Sequence, residues 1–163
     1  MMINSKRLYD YLAMIKHDEK TNISEIKRES FRKGEGLSYS YVHMVTKKLH
    51  ETGFIYAENV GRTKYIRILN DGKILRSLLI PFSEAGIDLT RIQAILDAIK
   101  NNKVKNAMEI TRACKGKVAY LFVMKNIKIL ENQHYVRKNG KYYELTPNGE
   151  LFYEYLSVLT EVW

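Results

Sequence analysis

Leu8, Tyr11, Leu12 and Ile15 stand at i, i+3, i+4 and i+7, the spacing that gathers apolar side chains on one face of a helix, here entered after Ser5. A second helix is predicted from Asn22. Its cap is supported by Glu25 three residues on, from where a carboxylate can reach back to the cap's backbone N–H. The two glycines of "RKGEG" permit a sharp reversal, and Ser38 then caps a third helix that turns Val42, Val45 and Leu49 inward. Gly53 supplies the left-handed residue that ends it. Beyond Gly53 the period falls to two. Phe54 to Glu58 and Lys64 to Leu69 read as short strands, with Ile66 and Ile68 on the inner face and a turn between the strands. Asn70-Asp71-Gly72 opens a fourth helix bearing Ile74, Leu75, Leu78 and Leu79.

The same order then recurs. At an offset of 84, Arg7, Leu8, Leu12, Ile15, Asn22, Glu25 and Ile26 meet Arg91, Ile92, Leu96, Ile99, Asn106, Glu109 and Ile110, so the capping pair repeats with the apolar stripe. At 81, Tyr39, Val42, Leu49, Phe54 and Ile55 meet Tyr120, Val123, Leu130, Tyr135 and Val136. At 77, Lys64, Tyr65, Gly72 and Leu75 meet Lys141, Tyr142, Gly149 and Phe152. The slips fall in a shorter loop before the third helix and in a shorter hairpin on "KNGK", where Asn139-Gly140 is the favoured two-residue turn. The expected fold is mainly α with small β hairpins, an α+β chain of two helix-helix-helix-hairpin-helix units. Residues 1–82 form the first, 83–89 the connection and 90–163 the second; Pro81 and Gly86 break the fourth helix, and Asp88 or Thr90 caps the next.

Composition narrows the partners. Lys and Arg number 27 against 18 Asp and Glu, a formal charge of +9 that attracts polyanions. Residues 1–82 hold 15 basic and 9 acidic residues, against 12 and 9 in 83–163, so the first unit carries more of that excess. Apolar runs such as "ILRSLLIPF" fall short of the roughly 20 residues of a membrane span, no basic-then-apolar leader opens the chain, and Cys114 has no partner for a disulfide. A cytoplasmic location without a membrane partner is therefore expected. The high Ile, Lys and Tyr content points to an AT-rich, archaeal or viral source.

Three helices followed by a hairpin is the order of the winged helix-turn-helix. "LHETGFIYAENVGRTKYIRILNDGKIL" resembles the third-helix-to-wing segment of MarR-type and related archaeal regulators, with "GR" at the wing and a leucine-polar-x-glycine step into the next helix. "LENQHYVRKNGKYYELTPNGELF" resembles it again, though MarR-type proteins have one such domain and this chain has two in tandem. The resemblance implies a third helix in the major groove of double-stranded DNA and a wing on the backbone or minor groove. A helix that buries Val42, Val45 and Leu49 turns Ser40, His43, Met44 and Lys47 outward, groups suited to base edges and phosphates. The expected DNA-contact set adds Ser38, Tyr39 and Lys48 on that helix, Arg62 and Lys64 on the wing, and Lys117, Lys125, Lys128 and Lys138 in the second unit. Tyr41 is expected to offer a second hydroxyl to phosphate.

Plainer accounts stand beside these. Arg62, Lys64 and Arg67 would also protect a solvated edge strand from pairing. Leu121 and Met124, outward in the second unit, fit a protein contact as well as a DNA face, and a homodimer using them or the C-terminal helix ending at Trp163 is expected. Catalysis is not expected. His17, His43, His50 and His134 share no metal-ligand spacing, no glycine-rich phosphate loop occurs, and no cofactor or small-molecule effector is indicated. The expected function is a sequence-preferring DNA-binding transcriptional regulator. The alternatives are a plasmid or viral initiator or partition protein, or a winged-helix scaffold for other proteins.

Overall fold

The computed structural model describes residues 2–163, a mainly helical α+β chain with eight α-helices and two small antiparallel sheets among those residues. It divides into two compact units, residues 3–87 with 161–163 and residues 88–160. Among the described residues no helix is long and apolar enough to cross a membrane.

The first unit runs α1 (Ser5–Ala13), β1 (Thr21–Asn22), α2 (Ile23–Arg32), α3 (Tyr39–Glu51), β2 (Ile55–Val60), β3 (Thr63–Ile68) and α4 (Asn70–Leu79). Pro81 then tightens the chain into a 3-10 turn at Ile80–Phe82. The predicted stripes supply the core: Leu8, Tyr11, Leu12, Ile15, Ile26, Val42, Val45, Leu49, Phe54, Ile66 and Ile68 are buried. At the start of α2, Asn22 accepts from the Ser24 N–H at 2.8 Å and Glu25 accepts from the Asn22 N–H at 3.2 Å, closing a reciprocal cap. Helix α1 is capped by Asn4, whose Oδ1 accepts from the Arg7 N–H at 3.0 Å. Ser5 is needed elsewhere, since its buried hydroxyl donates to the Phe82 carbonyl at 2.6 Å and accepts from the Ile87 N–H at 2.8 Å.

The hairpin belongs to a three-stranded sheet of order β1-β3-β2, with Thr21 opposite Ile66 and Ile55 opposite Ile68. Two residues are too few for alternation to reveal β1. Strand pairing continues to Val60 opposite Thr63, further than the sequence predicts, so only Gly61 and Arg62 make the turn.

In the second unit α5 (Leu89–Asn101), α6 (Ala107–Ala113), α7 (Tyr120–Asn132), β4 (Val136–Asn139), β5 (Tyr142–Leu145) and α8 (Pro147–Val162) follow the same order. Asp88 caps α5 by accepting from the Thr90 N–H at 3.0 Å, while Thr90 lies inside the helix and donates its own hydroxyl to Asp88. A single bond from the Tyr143 N–H to the Val104 carbonyl, 2.9 Å, stands where the first unit has β1. Asn139 pairs with Tyr142, so the turn is Gly140-Lys141 and not the expected Asn139-Gly140. Glycine at the first central position, with φ 62°, suits a two-residue turn whose second residue needs no positive φ.

Two details explain the repeated sequence signature. A Cβ on Gly72 would lie 2.1 Å from the Phe54 carbonyl oxygen, and one on Gly149 would lie 1.9 Å from that of Tyr135. Those carbonyls accept from the Leu69 and Thr146 N–H groups, each at 3.1 Å, so the helix after each hairpin starts against the hairpin's first residue and only glycine fits. The second detail is a coupled exchange. Tyr11 OH lies 2.6 Å from Thr46 Oγ1 in the first core, and the repeat puts Ile95 and Ile127 at both places, so neither hydroxyl is left alone. Asn126 has no such compensation. It occupies the position of Val45, is 1 % exposed, donates Nδ2 to the Phe122 carbonyl at 2.9 Å, and leaves Oδ1 without a partner.

Candidate nucleic-acid interface

Helix α3 begins at Ser38, whose hydroxyl accepts from the Tyr41 N–H at 3.1 Å, and buries Val42, Val45, Thr46 and Leu49. That fixes its outer side. Ser40 and Lys47 are exposed there, and His43 and Met44 are half-buried, whereas Lys48, expected to meet DNA, is turned aside, its ammonium donating to the Val162 carbonyl at 2.6 Å and lying 5.0 Å from the centre of the Trp163 ring. His43 is covered by Tyr39, with ring centroids 4.2 Å apart and planes inclined at 58°. The Lys27 ammonium lies 4.8 Å from the centre of the Tyr39 ring, which completes a cation–aromatic–imidazole stack on the surface. Tyr39 remains 52 % exposed. Tyr41 does not: its hydroxyl is buried without a partner, burial raises its pKa, and Arg7 covers its ring at 5.8 Å. It leans away because it precedes the buried Val42 and so stands at the edge of the core-facing stripe.

The β2–β3 hairpin stands beside α3. His50 brackets the two, its Nδ1 accepting from the Ala57 N–H at 3.2 Å and its ring meeting the edge of Tyr56 at 5.8 Å. Between helix and hairpin lies a cavity of about 440 Å³ bordered by His43, Lys47, His50, Asn59 and Lys64. A second of about 200 Å³ is bordered by Ser24, Tyr39, His43, Asn59, Arg62 and Lys64. His43, Asn59 and Lys64 border both, and His43 Nε2 has no protein partner.

Charge at this surface is unevenly balanced. Glu58 is ion-paired with Lys20, and Glu51 lies 3.9 Å from Lys47. Among the described residues Arg62 and Lys64 form no ion pair. The hairpin end therefore carries two cations whose field is uncompensated at close range. Lys27, Ser24 and Asn59 are additions that the sequence reading missed. A polar helix side and an asparagine in a strand are ordinary solvent-facing features until the fold places them beside Tyr39, His43 and Arg62.

The remaining expected residues belong to the second unit. Lys125 and Lys128 are exposed on α7, and Lys117 is exposed beside a cavity of about 360 Å³ that Asp97 and Cys114 also border. Cys114 is buried 3.6 Å from the Ala94 carbonyl, and burial raises its pKa. Lys138 is turned back: its ammonium donates to the Lys105 carbonyl and sits 4.4 Å over the Tyr143 ring. Arg137 donates to Glu144 at 2.6 Å and Asn139 donates to it at 3.1 Å, which holds the Glu144 carboxyl below its ordinary range. In the second hairpin Arg137 and Lys138 are thus engaged within the unit, and Lys141 in its turn is the exposed cation. No group of three or more His, Cys, Asp and Glu side chains that could hold a metal ion occurs among the described residues. Compared with known protein families, with curated proteins and with solved structures, the chain matches none.

Proposed function

We propose that the chain is a tandem winged helix-turn-helix protein whose first unit binds double-stranded DNA, with α3 in the major groove and the β2–β3 hairpin as a wing on the backbone or minor groove. The observation that carries this reading is the pair of uncompensated cations, Arg62 and Lys64, at the end of a hairpin set beside a helix side bearing Ser40, His43 and Lys47. Cations held out in water neutralise phosphates on binding and release counterions, which gives affinity without sequence information. Short polar and basic groups on a groove-sized helix supply the selectivity. A sequence-preferring transcriptional regulator is the role this combination fits best, and paired half-sites read by a homodimer belong to the same reading.

Duplexes selected from random DNA provide the test. Arg62→Ala with Lys64→Ala should weaken binding to selected and random duplexes alike, and should make the slope of log K against log salt shallower by about two. His43→Ala with Lys47→Ala should instead reduce the preference for the selected duplex over the random one. If the hairpin variant kept the parental affinity and slope on both duplexes, Arg62 and Lys64 would be edge-strand protection and the reading would be wrong.

A further inference from the structure

The second unit keeps the framework of the first and changes one surface. Ser24, Ser40 and His43 of the first unit correspond to Met108, Leu121 and Met124 of the second, at offsets of 84 and 81. Met108 is 50 % exposed, Leu121 77 % and the adjacent Tyr120 41 %, while Met124 is half-buried. Three polar residues have become apolar without becoming core. Such groups offer nothing to a phosphate backbone, and exposed apolar side chains gathered on one surface mark a partner site.

The edge of this surface says what kind of partner. Leu121, Met124, Lys125 and Lys128 recur at i, i+3, i+4 and i+7 along α7, opposite the buried Val123, Ile127 and Leu130. The helix carries one acid, Glu131, which accepts from the Tyr143 hydroxyl at 3.0 Å. An apolar strip edged by lysines with no carboxylate among them is complementary to apolar groups flanked by acids. Two-fold pairing with a second copy would bring Lys125 and Lys128 against their own counterparts, which like charge opposes. Methionine and leucine on an exposed helix also adapt their shape to an incoming side chain.

We infer that the α7 face of the second unit docks an acidic amphipathic helix of another protein, its apolar side chains meeting Leu121 and Met124 and its carboxylates meeting Lys125 and Lys128. The inference holds whether or not the first unit binds DNA. The test uses the full chain and two labelled synthetic helical peptides of about 18 residues, leucine on one face, flanked by glutamate in one and lysine in the other. Anisotropy titration should find the acidic peptide bound at least roughly tenfold more tightly than the basic one. Leu121→Ser with Met124→Ser should remove roughly tenfold of that affinity, and Lys125→Glu with Lys128→Glu should reverse the peptide preference. These residues lie outside the core, and circular dichroism of each variant checks that the fold is kept. Equal binding of the peptides, or variants without effect, would overturn the inference. So would a dimer in sedimentation that Leu121→Ser with Met124→Ser dissolves, which would make the face a self-association seam, or lost duplex affinity in that variant, which would make it a DNA face.

Discussion

Tyr11 and Thr46 permit a complete double-mutant cycle, because the second unit already contains its apolar corner as Ile95 and Ile127. Thr46 Oγ1 donates to the Val42 carbonyl at 2.7 Å, so its one proton is committed and Tyr11 is the donor of the 2.6 Å pair. Tyr11→Phe removes that donor and leaves only a vacant acceptor position on Thr46, at a cost of about 1 kcal/mol. Thr46→Val strands a phenol hydroxyl on a residue with 0 % exposure. The cost is about 2–3 kcal/mol, less about 0.8 kcal/mol for the added buried methyl. The double variant removes both polar groups and should fall within about 1 kcal/mol of the parent, a favourable coupling of about 1–2 kcal/mol. Urea unfolding gives the stabilities, and amide exchange in α1 and α3 assigns the loss to the first unit. Burial raises the Tyr11 pKa above its ordinary value, so phenol ionisation does not disturb measurements near neutral pH. Costs that simply added, with coupling below about 0.3 kcal/mol, would refute the reasoning.

Gly149→Ala should destabilise by about 3 kcal/mol or more in urea unfolding, because the new Cβ meets the backbone oxygen of Tyr135 and no side chain can move aside. His134 holds φ 59° where the first unit has Gly53 at φ 81°, so His134→Gly should raise stability by about 1 kcal/mol, read as a higher unfolding midpoint. Asn126→Val, which restores the residue of the first unit, should stabilise by about 1–2 kcal/mol in the same assay by removing the unpaired Oδ1.

The skeleton was legible wherever a local rule decides the outcome. The Asn22–Glu25 cap, the Ser38 cap and the apolar stripes follow from spacing alone, and the helix boundaries followed from them. The outward set on α3 was legible for the same reason: once Val42, Val45 and Leu49 are inside, the opposite positions are outside. What escaped depends on neighbours distant in the chain. β1 exists because β3 offers it an edge, and the second turn sits one residue later than its sequence signature because the pairing of Val136 with Leu145 sets the register. Lys138 was expected to project, but a long flexible side chain goes where an acceptor and an aromatic face await it, here the Lys105 carbonyl and Tyr143. Lys27 escaped for the converse reason, since only the packing of α2 beside α3 brings it over Tyr39.

The glycine contact at the base of each hairpin bears on reach. Phe54 and Tyr135 are locked against the helices that follow, so a hairpin cannot lengthen at its root, and any added residues must appear at the free end. The two hairpins differ in length there, with strands of six residues in the first unit and four in the second. Two residues per strand is the smallest increment that keeps the turn on the same kind of strand pair and the tip side chains on the same faces, since one would turn the tip over while leaving the root as it is. At about 3.4 Å per residue the first hairpin extends about 7 Å further from its root than the second. Hairpin span is therefore a dial that turns in steps of two residue pairs and leaves the core untouched. A step inserted between Val60 and Thr63 should carry Arg62 outward at little cost in stability, while a half-step should turn Arg62 to the opposite face of the hairpin.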